Sequence, residues 1–271
     1  MRAGLKCLSL AVLLALPGAA SAQDPSAGAI DEIAKYREML KEGNPAELWE
    51  LRGEDLWKKP GGPKNASLEQ CDLGKGPGVL KGAYAELPRY FKDTDRVQDL
   101  ESRLLTCMEQ LQGKDPKEVA AKAFSTSSRD SDMEALATYI AIQSNGMPFN
   151  VKPEQAKEKE ALALGEALFF RRAGTMDFSC ATCHQGDGKR IRLQQLMNIE
   201  SPKQVQDVMA SWPTYRVSQG TVRTMQHRMW DCVWQMRLPD MSYVSPASIA
   251  LITYLTHTAN GGAINTPGIK R

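Results

Sequence analysis

Cys180-Ala181-Thr182-Cys183-His184 is a CxxCH, and two thiols three residues apart followed directly by an imidazole form the attachment pattern of a c-type haem. On one turn of chain the thiols can add to the two vinyl groups of a porphyrin while the histidine gives Nε2 to iron. A zinc site would call for a second CxxC, and a thioredoxin-like redox pair for a preceding βαβ pattern. Neither is legible. Cys180, Cys183 and His184 are therefore expected to hold one covalent haem c per chain.

The second axial ligand decides what such a haem can do. A methionine raises the reduction potential and suits an electron carrier, and Met225, Met229, Met236 and Met241 are candidates among 12 methionines, most of which serve as core filler. His257 ends an apolar helix and reads as structural. Cys232 offers different chemistry. It sits in His227-Arg228-Met229-Trp230-Asp231-Cys232-Val233-Trp234-Gln235-Met236-Arg237, and if Arg228 to Cys232 is one helical turn the guanidinium and the sulfur share a face. A cation there favours the thiolate, a better iron ligand and a better nucleophile. A buried, inert cysteine is the alternative. Arg228, and more weakly Arg237, could hold an anionic substrate. His227 could take an auxiliary copper, since imidazole binds several metals.

Residues 1–22 read as a secretory signal. Arg2 and Lys6 precede an apolar stretch from Cys7 to Leu16, then Pro17, and Ala20-Ser21-Ala22 marks cleavage after Ala22. The apolar stretch is short for a membrane span, and no later run reaches the roughly 18 residues a span needs. Export to the periplasm without membrane insertion is expected. Removing Cys7 leaves Cys71, Cys107, Cys180, Cys183 and Cys232 in an oxidising compartment. With two on haem, one disulfide can form, Cys71 with Cys107 being the expected pair, and Cys232 is then the odd thiol.

The formal net charge of +2 equals Arg2 plus Lys6, which argues against a nucleic-acid partner. Between Lys189 and Arg237, however, Lys189, Arg190, Arg192, Lys203, Arg216, Arg223, Arg228 and Arg237 outnumber Glu200, Asp207 and Asp231. That segment could attract a small anion, or be a solvated basic face.

The elements that must position these groups are helical by spacing: Asp31 to Lys41, Asp95 to Leu111, Met133 to Gln143, Glu154 to Arg171, Ser201 to Met209 and Ser245 to His257. Clean alternation is scarce, and glycine- and proline-rich loops such as Lys58 to Gly82 lie between. The fold class expected is all-α, with two domains, 23–150 and 151–271, parted near Pro148 and Pro153, and no period of a repeat protein. Gly165 and Phe169 facing Ile252, Tyr254 and Leu255 would form the crossing of first and last helices that a cytochrome c fold needs.

With Ala66-Ser67-Leu68-Glu69-Gln70-Cys71-Asp72-Leu73-Gly74, Leu87-Pro88-Arg89-Tyr90-Phe91, Ser211-Trp212-Pro213-Thr214-Tyr215-Arg216 and the Cys232 segment, nearly the whole mature sequence resembles the SoxA family, the larger cytochrome subunits of bacterial sulfur-oxidising SoxAX complexes. The resemblance implies two cytochrome c-like domains, His184 and Cys232 as axial ligands, Cys232 as a persulfide, and Arg228 beside it. It implies an L-cysteine S-thiosulfotransferase that joins thiosulfate to a cysteine of the carrier SoxYZ and passes electrons through haem to SoxX and a soluble cytochrome c. Some members carry a second CxxCH; this chain does not, so it resembles the single-haem branch, where a disulfide fills the lost site. The competing readings are a His/Met electron carrier, a thiosulfate dehydrogenase forming tetrathionate without a carrier, and a subunit that only docks a partner.

Overall fold

The computed structural model describes residues 25–191 and 194–270; the expected signal segment and Arg192 lie outside them. The helices are α1 (Pro25–Glu42), α2 (Glu47–Lys58), α3 (Leu100–Cys107), α4 (Pro116–Ala120), α5 (Asp132–Ile142), α6 (Ala156–Phe170), α7 (Cys180–His184), α8 (Pro202–Met209), α9 (Met225–Gln235) and α10 (Pro246–Thr258). The strands are β1 (Arg89–Phe91), β2 (Arg96–Gln98), β3 (Arg190–Ile191), β4 (Gln194–Gln195), β5 (Thr214–Arg216), β6 (Thr221–Arg223) and β7 (Gly268–Lys270). They form antiparallel pairs β1/β2 and β3/β4 and a three-stranded sheet β6-β5-β7 in which β5 and β7 run parallel.

The all-α expectation is therefore overturned: the fold is mixed, helices with several small sheets. Each strand is at most three residues long, too short for alternation to register in the sequence. The expected helix from Asp95 to Leu111 shows the consequence. Its first residues form β2, the helix starts only at Leu100 with Asp99 as N-cap accepting from Ser102 N at 2.9 Å, and a π-helical turn closes it. A side-chain acceptor at that position satisfies a free N–H of the first turn.

The chain builds one arrangement twice. In the second half, a Cβ on Gly165 of α6 would sit 2.0 Å from the Ala250 carbonyl oxygen and 2.9 Å from Tyr254 Cβ on α10; in the first, a Cβ on Gly53 of α2 would sit 2.2 Å from the Ala135 carbonyl oxygen and 2.7 Å from Tyr139 Cβ on α5. Only glycine lets two helix backbones approach so closely. Phe169 packs on Tyr254 with ring centroids 5.4 Å apart. Ahead of each hairpin stands a cis proline, Pro88 or Pro213, then β1/β2 or β5/β6, then a helix, α3 or α9. By this order Arg103 matches Arg228 and Cys107 matches Cys232.

Each half has its own core, one around Leu68, Leu104, Met133 and Ile140, the other around Phe169, Val205, Met229 and Leu255. The halves meet at the starts of α3 and α9 through a reciprocal pair of bonds. Thr224 Oγ1 donates to Glu101 Oε1 at 3.1 Å, and Gln226 Nε2 donates to Asp99 Oδ2 at 2.8 Å. Asp99 is the counterpart of Thr224 and Glu101 of Gln226, so the contact is isologous, as across a two-fold axis.

Candidate haem and sulfur site

The CxxCH is the short helix α7. Ser179 and Thr182 cap it reciprocally: Ser179 Oγ accepts from Thr182 N at 3.2 Å and Thr182 Oγ1 accepts from Ser179 N at 2.9 Å. This satisfies donors at the helix start and fixes the turn that carries both thiols. His184 Nδ1 lies 3.2 Å from the Met197 carbonyl oxygen, so Nδ1–H donates there and Nε2 keeps its lone pair for a metal. Burial holds His184 below the usual imidazole value, against the weaker upward pull of that hydrogen bond. The neutral, ligating form is thereby favoured.

Cys180, Cys183 and Cys232 are free and half-buried. Burial, then the neighbouring Cys232, pushes the Cys180 thiol up to about 11. Cys232 lies on α9 with Arg228 one turn before it, and both Arg228 and Cys183 act on its charge. The expected lowering of the Cys232 thiol is corrected: burial pushes it up, and the pull of Arg228 and Arg216 does not overcome this. Desolvation disfavours a thiolate more than two half-buried guanidiniums favour it.

Arg216, not singled out as a site residue in the sequence, belongs to this cluster. Cross-strand pairing of Arg216 with Thr221 and of Thr214 with Arg223 puts Arg216 and Arg223 on one face of the hairpin, because side chains alternate along a strand. Arg223 Nη1 donates to Asp231 Oδ2 in a close ion pair. Arg216 is lowered to about 10 by burial and by the charges of Arg228 and Arg223. Among the described residues neither Arg216 nor Arg228 forms an ion pair, and the Arg216 Nε reaches only Gln219 at 3.3 Å. The signal that could have found it was the basic excess before Arg237.

Arg237 is placed differently from Arg228. It is exposed, with its guanidinium carbon 5.0 Å from the Trp234 ring centroid and Nη1 3.5 Å from the Trp234 carbonyl oxygen, whereas Arg228 and Arg216 are the cations that act most on Cys232. His227 is buried, its Nδ1 2.5 Å from Glu134 Oε1. Among the described residues no group of three His, Cys, Asp or Glu is placed to hold a metal ion. His257 Nδ1 faces the Val151 carbonyl oxygen at 3.1 Å.

The matching positions in the first half are closed. A disulfide joins Cys71 and Cys107, with Cα atoms 5.5 Å apart. Arg103 is buried, its Nη1 2.7 Å from Asp93 Oδ2 and its Nε donating to the Asp72 carbonyl at 2.6 Å. One half thus has its sulfurs bonded and its arginine neutralised. The other keeps both available.

The family description "SoxA/TsdA, cytochrome c domain" matches residues 52–149 and 164–264. The chain belongs to the SoxA family. An "L-cysteine S-thiosulfotransferase subunit SoxA" of Hydrogenophilus thermoluteolus is 47% identical over 97% of this chain and 98% of its own length. A SoxA of Hydrogenobacter thermophilus is 38% identical, with 89% of each chain covered. Among solved structures, SoxXA from P. pantotrophus superposes with a TM-score of 0.72 at 26% identity, covering 88% of this chain and 84% of that one. A cytochrome c domain implies haem c, and the residues fit it: two free thiols on a capped turn, an imidazole with only Nδ1 engaged, and a third free sulfur on α9 near enough to act on Cys180.

Proposed function

We propose that this SoxA is the haem subunit of a thiosulfate-oxidising complex, an L-cysteine S-thiosulfotransferase working with a SoxX cytochrome subunit in the periplasm. The observation that carries the reading is the contrast between the halves: Cys232 and Arg228 stand free on one face of α9, while Cys107 and Arg103 are tied up in a disulfide and an ion pair. The 47% identical relative bears the same name as this activity. Among the described residues no helix is long and apolar enough to cross a membrane.

In this reading 23–150 and 151–271 are the two domains, and the second holds one haem c per chain. Cys180 and Cys183 would hold it through thioether links, and His184 and Cys232 would supply its iron ligands. When bound, haem c supplies one-electron redox chemistry. The chain's own groups do the rest. Arg228 and Arg216 offset the charge of thiosulfate, a dianion, as it approaches the sulfur of Cys232. Overall, an S–S bond forms between the sulfane sulfur of thiosulfate and a cysteine of the SoxYZ carrier, that cysteine loses its thiol proton, and two electrons leave through SoxX to a soluble cytochrome c. The outer sulfur of a persulfide on Cys232 would first bond to the sulfane sulfur of thiosulfate as the two electrons leave, and the carrier thiolate would then attack that sulfane sulfur and release the persulfide unchanged. Arg237 has a place only at the rim. No auxiliary copper enters the scheme, because the buried His227 spends Nδ1 on Glu134.

Reconstitution with SoxX and SoxYZ tests the reading. Thiosulfate should reduce cytochrome c only when SoxYZ is present, leaving a thiosulfonate adduct on the carrier cysteine. Tetrathionate formation at the same rate without SoxYZ would replace it with the dehydrogenase reading.

A further inference from the structure

α9 has two faces. Met225 and Met229 turn toward the core of the second half, Cys232 lies near enough to Cys180 and Cys183 to act on their charge, and Gln226, His227 and Trp230 turn toward the first half. On the second face His227 is 2% exposed, stacked on Phe124 with ring centroids 4.3 Å apart and planes 12° from parallel. Its Nδ1 is bonded to Glu134, which is fully buried. The other Glu134 oxygen accepts from Ser125 N at 3.0 Å and from the Ser125 hydroxyl, and Glu134 N is bonded to the Ser131 cap at 3.2 Å. Both carboxylate oxygens are committed, so the group cannot swing.

A buried carboxyl is costly unless every oxygen is bonded, and an apolar pair would seal the same interface more cheaply. What a hydrogen bond adds is direction. The isologous contacts of Thr224 and Gln226 recur on both sides of the pseudo-axis, but this pair does not: by the same correspondence the partners of His227 and Glu134 are Ser102 and Ile249. The Ser102 hydroxyl donates to its own cap, Asp99, and not to α10, and Ile249 lies in an apolar part of α10. Of these two corresponding helices among the described residues, the one that carries Cys232 has the device behind it and the other does not.

We infer that Glu134 is a positioning residue for the chemistry at Cys232: through His227 it sets the rotation of α9 about its axis, and with it the direction in which the Cys232 sulfur and the Arg228 guanidinium face His184. The first half of the chain then serves as the back wall of the sulfur site. The inference rests on the reading of Cys232 as an iron ligand.

Its test uses the holo SoxA with SoxX, comparing His227→Phe, which keeps the stacking on Phe124 and loses the hydrogen bond, with Glu134→Gln, which keeps the shape and loses the charge. Cys232→Ala serves as the ligand control. The expected result is normal haem content and an intact Cys71–Cys107 bridge, a ferric EPR signal spread over more than one low-spin species, and kcat lowered about tenfold to a hundredfold with KM for thiosulfate within about twofold. A lower melting temperature with wild-type EPR and kcat in both variants would overturn it, leaving the pair a stability contact. Should His227→Phe fail to fold, Glu134→Gln decides on the same readouts. If Cys232→Ala leaves the spectrum unchanged, the ligand reading fails by itself, and the kcat of the two variants still decides whether the pair positions α9.

Discussion

Glu134 Oε1 lies 2.5 Å from Nδ1 of His227, a bond between α5 of the first half and α9 of the second. With Thr224 on Glu101 and Gln226 on Asp99, it means that the start of the helix bearing Arg228 and Cys232 is held by carboxyl groups from the half with no CxxCH. That half has its own core and the disulfide, and it also sets where the second half's sulfur points.

Arg228→Ala should lower kcat/KM for thiosulfate by about two to three orders of magnitude, as expected when a cation facing developing or approaching negative charge is removed from a half-buried site. Arg216→Ala should lower it less, by about tenfold, because Arg216 reaches the site from the neighbouring hairpin. Arg237→Ala should stay within about twofold, since its guanidinium rests on Trp234. Steady-state kinetics of the three variants with the carrier present gives the order; equal losses at Arg228 and Arg237 would contradict the placement.

Gly165→Ala should destabilise the fold by about 3 kcal/mol or more, because its Cβ would lie 2.0 Å from the Ala250 carbonyl oxygen and a helix backbone cannot yield to it. Gly28→Ala, where a Cβ meets nothing within 4 Å, should be neutral. Thermal denaturation of both variants measures the difference.

Much of this was legible in the sequence. The CxxCH and Arg228 one turn before Cys232 follow from local spacing, the Cys71 with Cys107 pairing from the count of cysteines, and the Gly165 and Phe169 crossing from the layout of a cytochrome c fold. The strands did not, since three-residue hairpins such as Thr214–Arg216 with Thr221–Arg223 carry no measurable period. In α2 only Trp49, Gly53 and Trp57, four apart and buried, mark the packed face, which is too few apolar positions to stand out as a helix in the sequence. The duplication also left a trace, Arg103-x-x-x-Cys107 and Arg228-x-x-x-Cys232 following Pro88-x-Tyr90 and Pro213-x-Tyr215, too sparse to read without the two helix crossings side by side. Arg216 showed in the sequence only as one of the basic residues before Arg237, and the His227 to Glu134 bond depends on packing between distant segments, which no window of sequence contains.

Removing the disulfide by Cys71→Ser with Cys107→Ser should cost about 3 to 4 kcal/mol of stability, from the loop freed in the unfolded chain. Haem content and the haem spectrum of the folded fraction should not change. Chemical denaturation and absorbance per chain report the two quantities independently; loss of the haem spectrum in folded protein would mean that the bridge acts on the sulfur site.

Glu101 gives a pH signature. Burial first, then the charges of Asp99 and Glu134, raises it well above its usual 4.5, so the folded state favours the neutral acid. Its stabilising contribution is complete below the unfolded value and is lost as pH rises toward the folded one. Glu101→Gln can still accept from Thr224 and Tyr243 and carries no charge at any pH. Its melting temperature relative to wild type should therefore climb as pH is raised from 4.5 to about 8. Parallel melting curves across that range would mean that Glu101 is ionised in the folded protein.

The most direct measurement on the central claim is the intact mass and peptide map of the natively exported protein, before and after mild reduction. The expected result is one haem on the peptide holding Cys180 and Cys183, and on Cys232 a reducible extra sulfur that exchanges when thiosulfate and the carrier are added. A Cys232 that is unmodified and freely alkylated in a six-coordinate haem protein would contradict it, placing another residue on the iron and making the chain an electron carrier.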